Sequence, residues 1–301
     1  MAAEDDHTTT MTTTADHVRI VRGDRAIEAR LMDCLDGLAD PAIVAPESID
    51  VIVTSPPYNL GIRYSRYDDT ISRADYLAWL DHWADRVAAA LAPQGSLFLN
   101  IGSKPRDPEV PFQVLGVMLR HFRLQNVIHW VKSIAIEKAS VGDYPGITQD
   151  IVVGHYKPIN SNRFLNDCHE YVFHLTKTGD VPIERLAIGV PYRDHTNVQR
   201  WRNARGGLHC RGNVWFIPYT TISDRSRHRP HPATFPPELP EMCLRLHGLD
   251  RVRRVLDPFL GIGSTGVACC RLHVGFLGFE IDPEYYEQAI RAMRAACGEG
   301  A

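Results

Sequence analysis

Two short stretches of this chain carry the residue types that could do chemistry. Thr54-Ser55-Pro56-Pro57-Tyr58-Asn59 follows the β-branched run Ile49-Asp50-Val51-Ile52-Val53. Consecutive prolines fix φ and hold the preceding residue extended, so this loop is stiff. Prolines bring no N–H of their own, which leaves backbone carbonyls open as acceptors, and the Ser55 hydroxyl can accept as well. Such a loop can grip an amine by its N–H groups and aim the nitrogen lone pair at an electrophile. Orientation is the main lever for a displacement of that kind. The second stretch, Leu256-Asp257-Pro258-Phe259-Leu260-Gly261-Ile262-Gly263-Ser264-Thr265-Gly266, joins a strand to a helix. Its glycines let backbone approach a ligand where a Cβ would clash. Gly261, Gly263 and Gly266 spell G-x-G-x-x-G, and Glu280, 19 residues after Gly261, is spaced to hold a ribose hydroxyl.

The elements that must position these loops follow from periodicity. Val18–Val21 reads as a strand, Gly23-Asp24 as a turn, and 26–38 as a helix. Ile49–Val53 is a buried strand that ends where the prolines begin. Residues 74–91 are amphipathic at helical spacing. Strand 96–101, helix 110–122 and a hairpin of 125–131 with 170–175 follow. Later come helix 236–246, opened by prolines, strand 252–256, helix 263–272, strand 274–279 and helix 283–296. Strands alternating with helices at both ends predict an α/β domain whose sheet is mostly parallel. A dinucleotide domain continues with several strands after its glycine turn. Here one strand and one helix remain, so the missing strands must come from the N-terminal half.

The two motifs, in this order, resemble those of the permuted beta group of amino DNA methyltransferases. The resemblance covers residues 18 to 296. It implies a Rossmann-like S-adenosylmethionine methyltransferase fold with an antiparallel hairpin and permuted motif order. It implies Ser55, Pro56, Pro57 and Tyr58 as the catalytic loop, with Tyr58 stacking on the target base. The backbone of 259–263, with Asp257, Pro258, Phe259, Gly261, Gly263 and Ser264, would cradle the amino-acid end of S-adenosyl-L-methionine. Glu280 would bind the ribose and Ile281 would pack on the adenine. His231-Pro232-Ala233-Thr234-Phe235-Pro236 resembles the segment before the cofactor loop, which places His231 and Phe235 near the methionine end. Gly23-Asp24 resembles the position whose carboxylate, here Asp24, accepts from the adenine amino group. A target base must be flipped out of the duplex to be reached, at a cost of a few kcal/mol. Stacking on an aromatic ring recovers roughly 1–3 kcal/mol of that. Ser as the first residue of the catalytic motif leans toward the 4-amino group of cytosine; Asp or Asn there leans toward the 6-amino group of adenine. No catalytic Cys follows a Pro, which argues against ring-carbon methylation.

Composition agrees with that class. The 301 residues are 44 % hydrophobic, enough for a substantial core, and no apolar run approaches a membrane span. Residues 1–17 read as a disordered leader and 18–301 as the catalytic domain. Net charge is −3, yet 193–229 holds eight Arg (Arg193, Arg200, Arg202, Arg205, Arg211, Arg225, Arg227 and Arg229) against Asp194 and Asp224, a local +6. A basic patch on a slightly acidic body is the footprint of a DNA-binding face. The inserted segments 133–167 and 178–230 are the expected target-recognition region. A protein substrate would not need such a patch; an RNA substrate, or a module that binds and transfers nothing, stays open at this point. The resemblance leaves open a homodimer and a companion restriction endonuclease, as in a restriction-modification system, beside double-stranded DNA as partner. Seven scattered cysteines without a C-x-x-C pair predict neither a disulfide framework nor a metal site, and fit a reducing cytoplasm.

Overall fold

The computed structural model describes residues 9–62, 66–154, 161–193, 207–218 and 234–298. In chain order the strands and helices are β1 (Thr9–Thr13), β2 (His17–Arg22), β3 (Arg25–Leu31), α1 (Cys34–Ala39), β4 (Ile49–Thr54), α2 (Arg73–Ala90), β5 (Leu91–Ile101), α3 (Val110–Met118), β6 (Arg123–Val131), β7 (Ile134–Ile136), α4 (Lys138–Val141), β8 (Ile151–Val153), β9 (His169–Thr176), β10 (Val190–Pro191), β11 (Leu208–His209), β12 (Val214–Phe216), α5 (Glu238–His247), β13 (Arg254–Asp257), α6 (Ser264–Leu272), β14 (Gly275–Glu280) and α7 (Pro283–Ala296). Ten strands form one sheet in the order β1-β2-β3-β14-β13-β4-β5-β9-β6-β12. The run from β3 to β5 is wholly parallel, and β9 is antiparallel to both its neighbours.

Side chains alternate across these strands, and each face of the sheet has its own core. Val51, Val53, Phe98, Val255 and Phe276 pack with Leu239, Leu244, Val267 and Met293. Ile52, Leu97, Leu99, Leu256 and Phe279 pack with Tyr76, Leu80, Trp83 and Val114 on the other face. A parallel sheet needs cover on both faces, which is why its strands read as continuous apolar runs. The chain leaves β13 in one direction, toward β14, and leaves β4 in the other, toward β5. Their carboxyl ends therefore flank a topological switch point, where open α/β sheets place their ligand crevice.

Two expectations change here. Residues 26–38 are a strand followed by a short helix, not one helix. Ile27 and Ala29 are buried while β3 pairs with β2 on one side and β14 on the other. Sheet pairing on both edges overrides the helix preference of Ala, Glu, Arg and Leu. Part of the expected leader joins the sheet, since Thr9–Thr13 pairs with β2. A third difference is covalent: Cys270 and Cys297 form a disulfide with Cα atoms 5.1 Å apart. Packing of α6 on α7 brings together thiols that sequence spacing keeps apart. Among the described residues, no helix is long and apolar enough to cross a membrane.

The amino-end half of the sheet holds a buried polar chain. Asn126 Nδ2 lies 2.9 Å from His174 Nδ1, His174 Nε2 lies 2.9 Å from Ser96 Oγ, and Ser96 Oγ lies 2.9 Å from His247 Nδ1. With Asn126 donating, His174 carries its proton on Nε2 and donates to Ser96, which donates onward to His247. Burial pushes His174 down to about 3, aided by His247, and burial pushes His247 down to about 4, aided by Arg251. Both rings are neutral in the fold. Below their usual 6.5 the unfolded chain takes up protons that the folded chain refuses, so stability is lost as pH falls from there. Each histidine contributes a slope of about 1.4 kcal/mol per pH unit. Urea unfolding between pH 7.5 and 5 should show this decline, and His174→Gln and His247→Gln should each flatten it. Unaltered slopes in both variants would contradict this account.

Candidate active site

The catalytic-motif loop starts where β4 ends. Asn59, just past Tyr58, takes the left-handed conformation at φ 55°, which Asn tolerates better than most residues. Its N–H donates to Asp69 Oδ1 at 2.8 Å, and its side-chain amide donates to the carbonyl of Ile71 at 2.8 Å. Arg73 Nε donates to Asn59 Oδ1 at 2.8 Å, and Arg73 Nη2 pairs with Asp107 at 2.6 Å. Tyr76 donates its hydroxyl to the Pro57 carbonyl at 2.7 Å. The Pro57 carbonyl is thus taken. The loop is held from outside by side chains of α2 and its approach, so its stiffness is not the prolines' alone.

The glycine loop starts where β13 ends, one strand away. Asp257 is buried and accepts from Thr54 Oγ1 at 2.7 Å, from Thr265 Oγ1 at 2.7 Å and from the Phe259 N–H at 3.1 Å. One carboxylate therefore ties the last residue of β4 to the first turn of α6. Burial pushes its acid up to about 6 despite these three donors. Gly263 turns the chain into α6 at φ 89°, and a Cβ there would lie 3.0 Å from Ala289 of α7. Only glycine satisfies both conditions. Glu280, at the end of β14, accepts from the N–H groups of Gly261 at 2.8 Å and Asp282 at 2.9 Å. Burial pushes its carboxyl up to about 7, against the pull of those N–H groups.

Both loops line a single cleft of about 1060 Å³, measured out to its open mouth. Ser55, Pro56 and Pro57 of the first loop line it together with Asp257, Pro258, Phe259, Gly261 and Ser264 of the second, and Glu280, Ile281 and Phe235 line it as well. Ile281 is 47 % exposed, an apolar surface offered to the cleft. The lining carries four carboxylates (Asp33, Asp257, Glu280 and Asp282) and one guanidinium, Arg66. A cleft of that balance suits a ligand with net positive charge and a polar end that donates hydrogen bonds. Arrival of a cation would also restore the ionised forms that burial disfavours.

Several expected site residues stand elsewhere. Asp24 sits in the β2–β3 turn, with its side chain 85 % exposed. It lies at the amino end of β3, while the cleft is at the carboxyl end; seven residues of strand separate the two ends, about 20 Å. Asp33, which follows β3 and caps α1 by accepting from Leu35 N–H at 2.7 Å, lines the cleft instead. Its signal was an acid just past a strand, hidden by reading that strand as helix. Gly263 shapes the loop but does not line the cleft. Tyr58 does not line it either and is 6 % exposed. Its hydroxyl meets Ser55 Oγ at 2.7 Å, Asn100 Nδ2 at 2.7 Å and Glu170 Oε2 at 3.1 Å. A buried polar network captures the ring that was expected to stack on a base. Arg66, Tyr67 and Trp79 reach the cleft without any motif to announce them.

Of the eight arginines, Arg193 donates to the Pro145 carbonyl at 2.6 Å and Arg211 to the Ile188 carbonyl at 3.0 Å. Arg193 thereby ties its segment to the insert 133–167, in which β7 and β8 pair as a small separate ribbon. Arg200, Arg202, Arg205, Arg225, Arg227, Arg229 and His231 lie outside the described residues.

The chain is similar to known proteins. A family model described as DNA methylase matches residues 49–291. The type II methyltransferase M.HpaI of Haemophilus parainfluenzae is 28 % identical over 244 residues, covering 80 % of this chain and 67 % of that protein. The solved structure of PvuII DNA methyltransferase (cytosine-N4-specific) aligns with a TM-score of 0.60 at 20 % identity, over 88 % of this chain and 85 % of that one. TTHA0409 of Thermus thermophilus, solved in complex with S-adenosyl-L-methionine, aligns with a TM-score of 0.55 at 21 % identity, over 89 % of this chain and 95 % of that one.

Proposed function

This chain belongs to the N6/N4 DNA methylase family, and from that membership we propose that it methylates the 4-amino group of a flipped-out cytosine in DNA, with S-adenosylmethionine as methyl donor. The observation that carries this reading is the meeting of the two loops in one cleft, joined by the Thr54–Asp257 hydrogen bond of 2.7 Å. The cleft fits the cofactor chemically. Its acidic lining complements a sulfonium and an ammonium group. Glu280 faces the place for ribose hydroxyls, and Asp33 replaces Asp24 as acceptor for the adenine amine. Ile281 and Phe235 supply apolar surface. When bound, S-adenosylmethionine supplies a methyl group already activated for displacement.

The chain's own residues do the rest. The Ser55 hydroxyl and the Pro56 carbonyl accept from the two N–H groups of the target amine, which turns its lone pair toward the methyl group. Asp257 keeps the two loops in register so that amine and methyl share one axis. The basic segment around Arg193–Arg229 would position duplex DNA through its phosphates, the share of contacts that fixes register without reading sequence. The inserts 133–167 and 178–230 would carry recognition, and a DNA substrate fits a reaction in the cytoplasm. Cytosine rather than adenine rests on Ser55 as first residue of the motif.

Nucleoside mass spectrometry after incubating unmethylated duplex DNA with protein and S-adenosylmethionine tests this directly. The expected product is 4-methylcytosine. A yield of 6-methyladenine would keep the chemistry and overturn the base. No methylated nucleoside across varied DNA, with cofactor binding verified, would overturn the reading.

A further inference from the structure

Beyond Ser55 and the Tyr58 hydroxyl lies a carboxylate that no motif marks. Glu170 is the second residue of β9, the antiparallel strand whose amino end reaches the catalytic edge of the sheet. Its side chain is 16 % exposed. Oε1 pairs with Lys132 Nζ at 2.7 Å; Oε2 accepts from Asn100 Nδ2 at 2.7 Å and from the Tyr58 hydroxyl at 3.1 Å. Gly102 permits this approach, because a Cβ there would stand 3.0 Å from the Tyr58 ring and 3.1 Å from the Glu170 carboxyl. Burial would raise the Glu170 acid, but the Lys132 ammonium and the Asn100 and Tyr58 hydrogen bonds outweigh it and hold the group below its usual range. Asp167 and His169 are the other titratable groups beside it.

An ionised carboxylate only accepts hydrogen bonds. The single hydroxyl proton of Tyr58 therefore goes to Glu170. Asn100 offers its amide N–H to both groups and leaves its own carbonyl oxygen without a partner among the described residues. The Tyr58 oxygen must then accept from Ser55, so the Ser55 proton points away from the cleft. What Ser55 turns toward the cleft is lone pairs, the correct face for an N–H donor. The polarity of the whole chain from Ser55 to Glu170 is set by the charge at its far end.

The geometry points to Glu170 as the terminal acceptor of the proton that the target amine gives up on methylation, reached through Ser55 and Tyr58; this rests on the amine-methylation reading above. As the nitrogen lone pair forms the N–CH3 bond, the S–CH3 bond breaks and sulfur keeps its electron pair. The nitrogen is left positive with two hydrogens. One passes to Ser55 Oγ while the Ser55 proton moves to Tyr58 and the Tyr58 proton moves to Glu170 Oε2. The nitrogen ends neutral, Ser55 and Tyr58 end unchanged, and Glu170 ends as the neutral acid. A ring-conjugated ammonium is a far stronger acid than a carboxylic acid, so even a carboxylate of low basicity accepts from it. Lys132 keeps the empty state of the acceptor charged for the next turnover.

Single-turnover methylation at saturating DNA and cofactor tests this with Glu170→Gln and Tyr58→Phe. Proton transfer by a positioned group is worth about 10²–10⁴-fold, and the expected loss in E170Q is about 10²-fold, with KM for DNA and cofactor within about threefold. The wild-type rate should be flat from pH 6 to 9, whereas that of E170Q should climb with pH as hydroxide substitutes for the lost acceptor. A merely structural role would move KM and melting temperature and leave the pH slope alone. Y58F interrupts the same chain without touching the Glu170–Lys132 pair, so it decides the matter should E170Q fold poorly. An active wild type with either folded variant as fast and as pH-independent overturns this inference alone. A wild type that methylates no amine in DNA overturns the methylation reading and this inference with it.

Discussion

Asp257→Ala is expected to abolish useful cofactor binding and to lower stability by about 3 kcal/mol. The carboxylate serves three buried donors: the hydroxyls of Thr54 and Thr265 and the Phe259 N–H. Orphaning a buried donor costs about 1–3 kcal/mol each. The two hydroxyls can rotate to other acceptors, as Thr265 already has the Val53 carbonyl at 3.3 Å. Removing a buried carboxylate also relieves its desolvation, which offsets part of the loss. For a chain of this size about 3 kcal/mol corresponds to a fall of about 5 °C in melting temperature. Affinity should suffer more than stability suggests. Without Asp257, residues 257–263 lose the anchor that sets them against Ser55, and a displaced loop loses several contacts to the ligand together. The expected drop is at least about 100-fold, read by calorimetric titration with S-adenosylhomocysteine. Asp257→Asn keeps the shape and should fall between the two. An alanine variant that binds within threefold of wild type would refute the assignment of Asp257 as the joint between the loops.

Ser55→Ala should act on the opposite quantity. Ser55 lines the cleft, and its side chain meets the protein interior only through the Tyr58 hydroxyl among the hydrogen bonds described above. The variant is expected to fold and to bind cofactor as wild type does, while kcat falls by about 10²–10³, the cost typical of losing one positioned hydrogen-bond partner at a reacting centre. Two losses combine: the amine is no longer turned toward the methyl group, and the path from amine to Tyr58 is cut. Burst kinetics with DNA in excess would separate chemistry from product release. If S55A methylates at the wild-type rate, the amine is held elsewhere and the role given to this loop is wrong. The contrast with D257A is informative, since that variant should lose cofactor binding, whereas S55A should keep binding and lose rate.

Much of the site was legible because loops that bind backbone-close ligands need particular residues. Two prolines and a serine after a buried strand, and glycines between a strand and a helix, announce themselves at short range. Asp24 shows where that legibility ends. An acid beside a glycine turn and an acid at a strand's carboxyl end look alike until the strand's direction and length are known. Tyr58 shows a second limit: the tyrosine is a ring in the sequence, and only its neighbours Asn100 and Glu170 make it a link between the Ser55 hydroxyl and a carboxylate. Cys270 and Cys297 show a third, because helix packing rather than spacing decides which thiols meet.

The amino-acid sequence by itself determined the two loops, their reversed order, the parallel sheet that must hold them and the presence of an unusually basic segment. These depend on local chemistry: proline φ, glycine's missing Cβ, and apolar periodicity. Tertiary structure alone decided that Thr54 meets Asp257, that Asp33 rather than Asp24 faces the cleft, and that Glu170 stands beyond Ser55 and the Tyr58 hydroxyl. Asn100 and Glu170 are 70 residues apart, on β5 and β9. Their meeting depends on the antiparallel register that sets Asn100 opposite Val172 and Ile101 opposite Tyr171. Register is a cooperative property of paired strands: a slip of one residue would turn every side chain to the other face. No single segment encodes that choice, so the network is written across the sheet and becomes readable only when the sheet has formed.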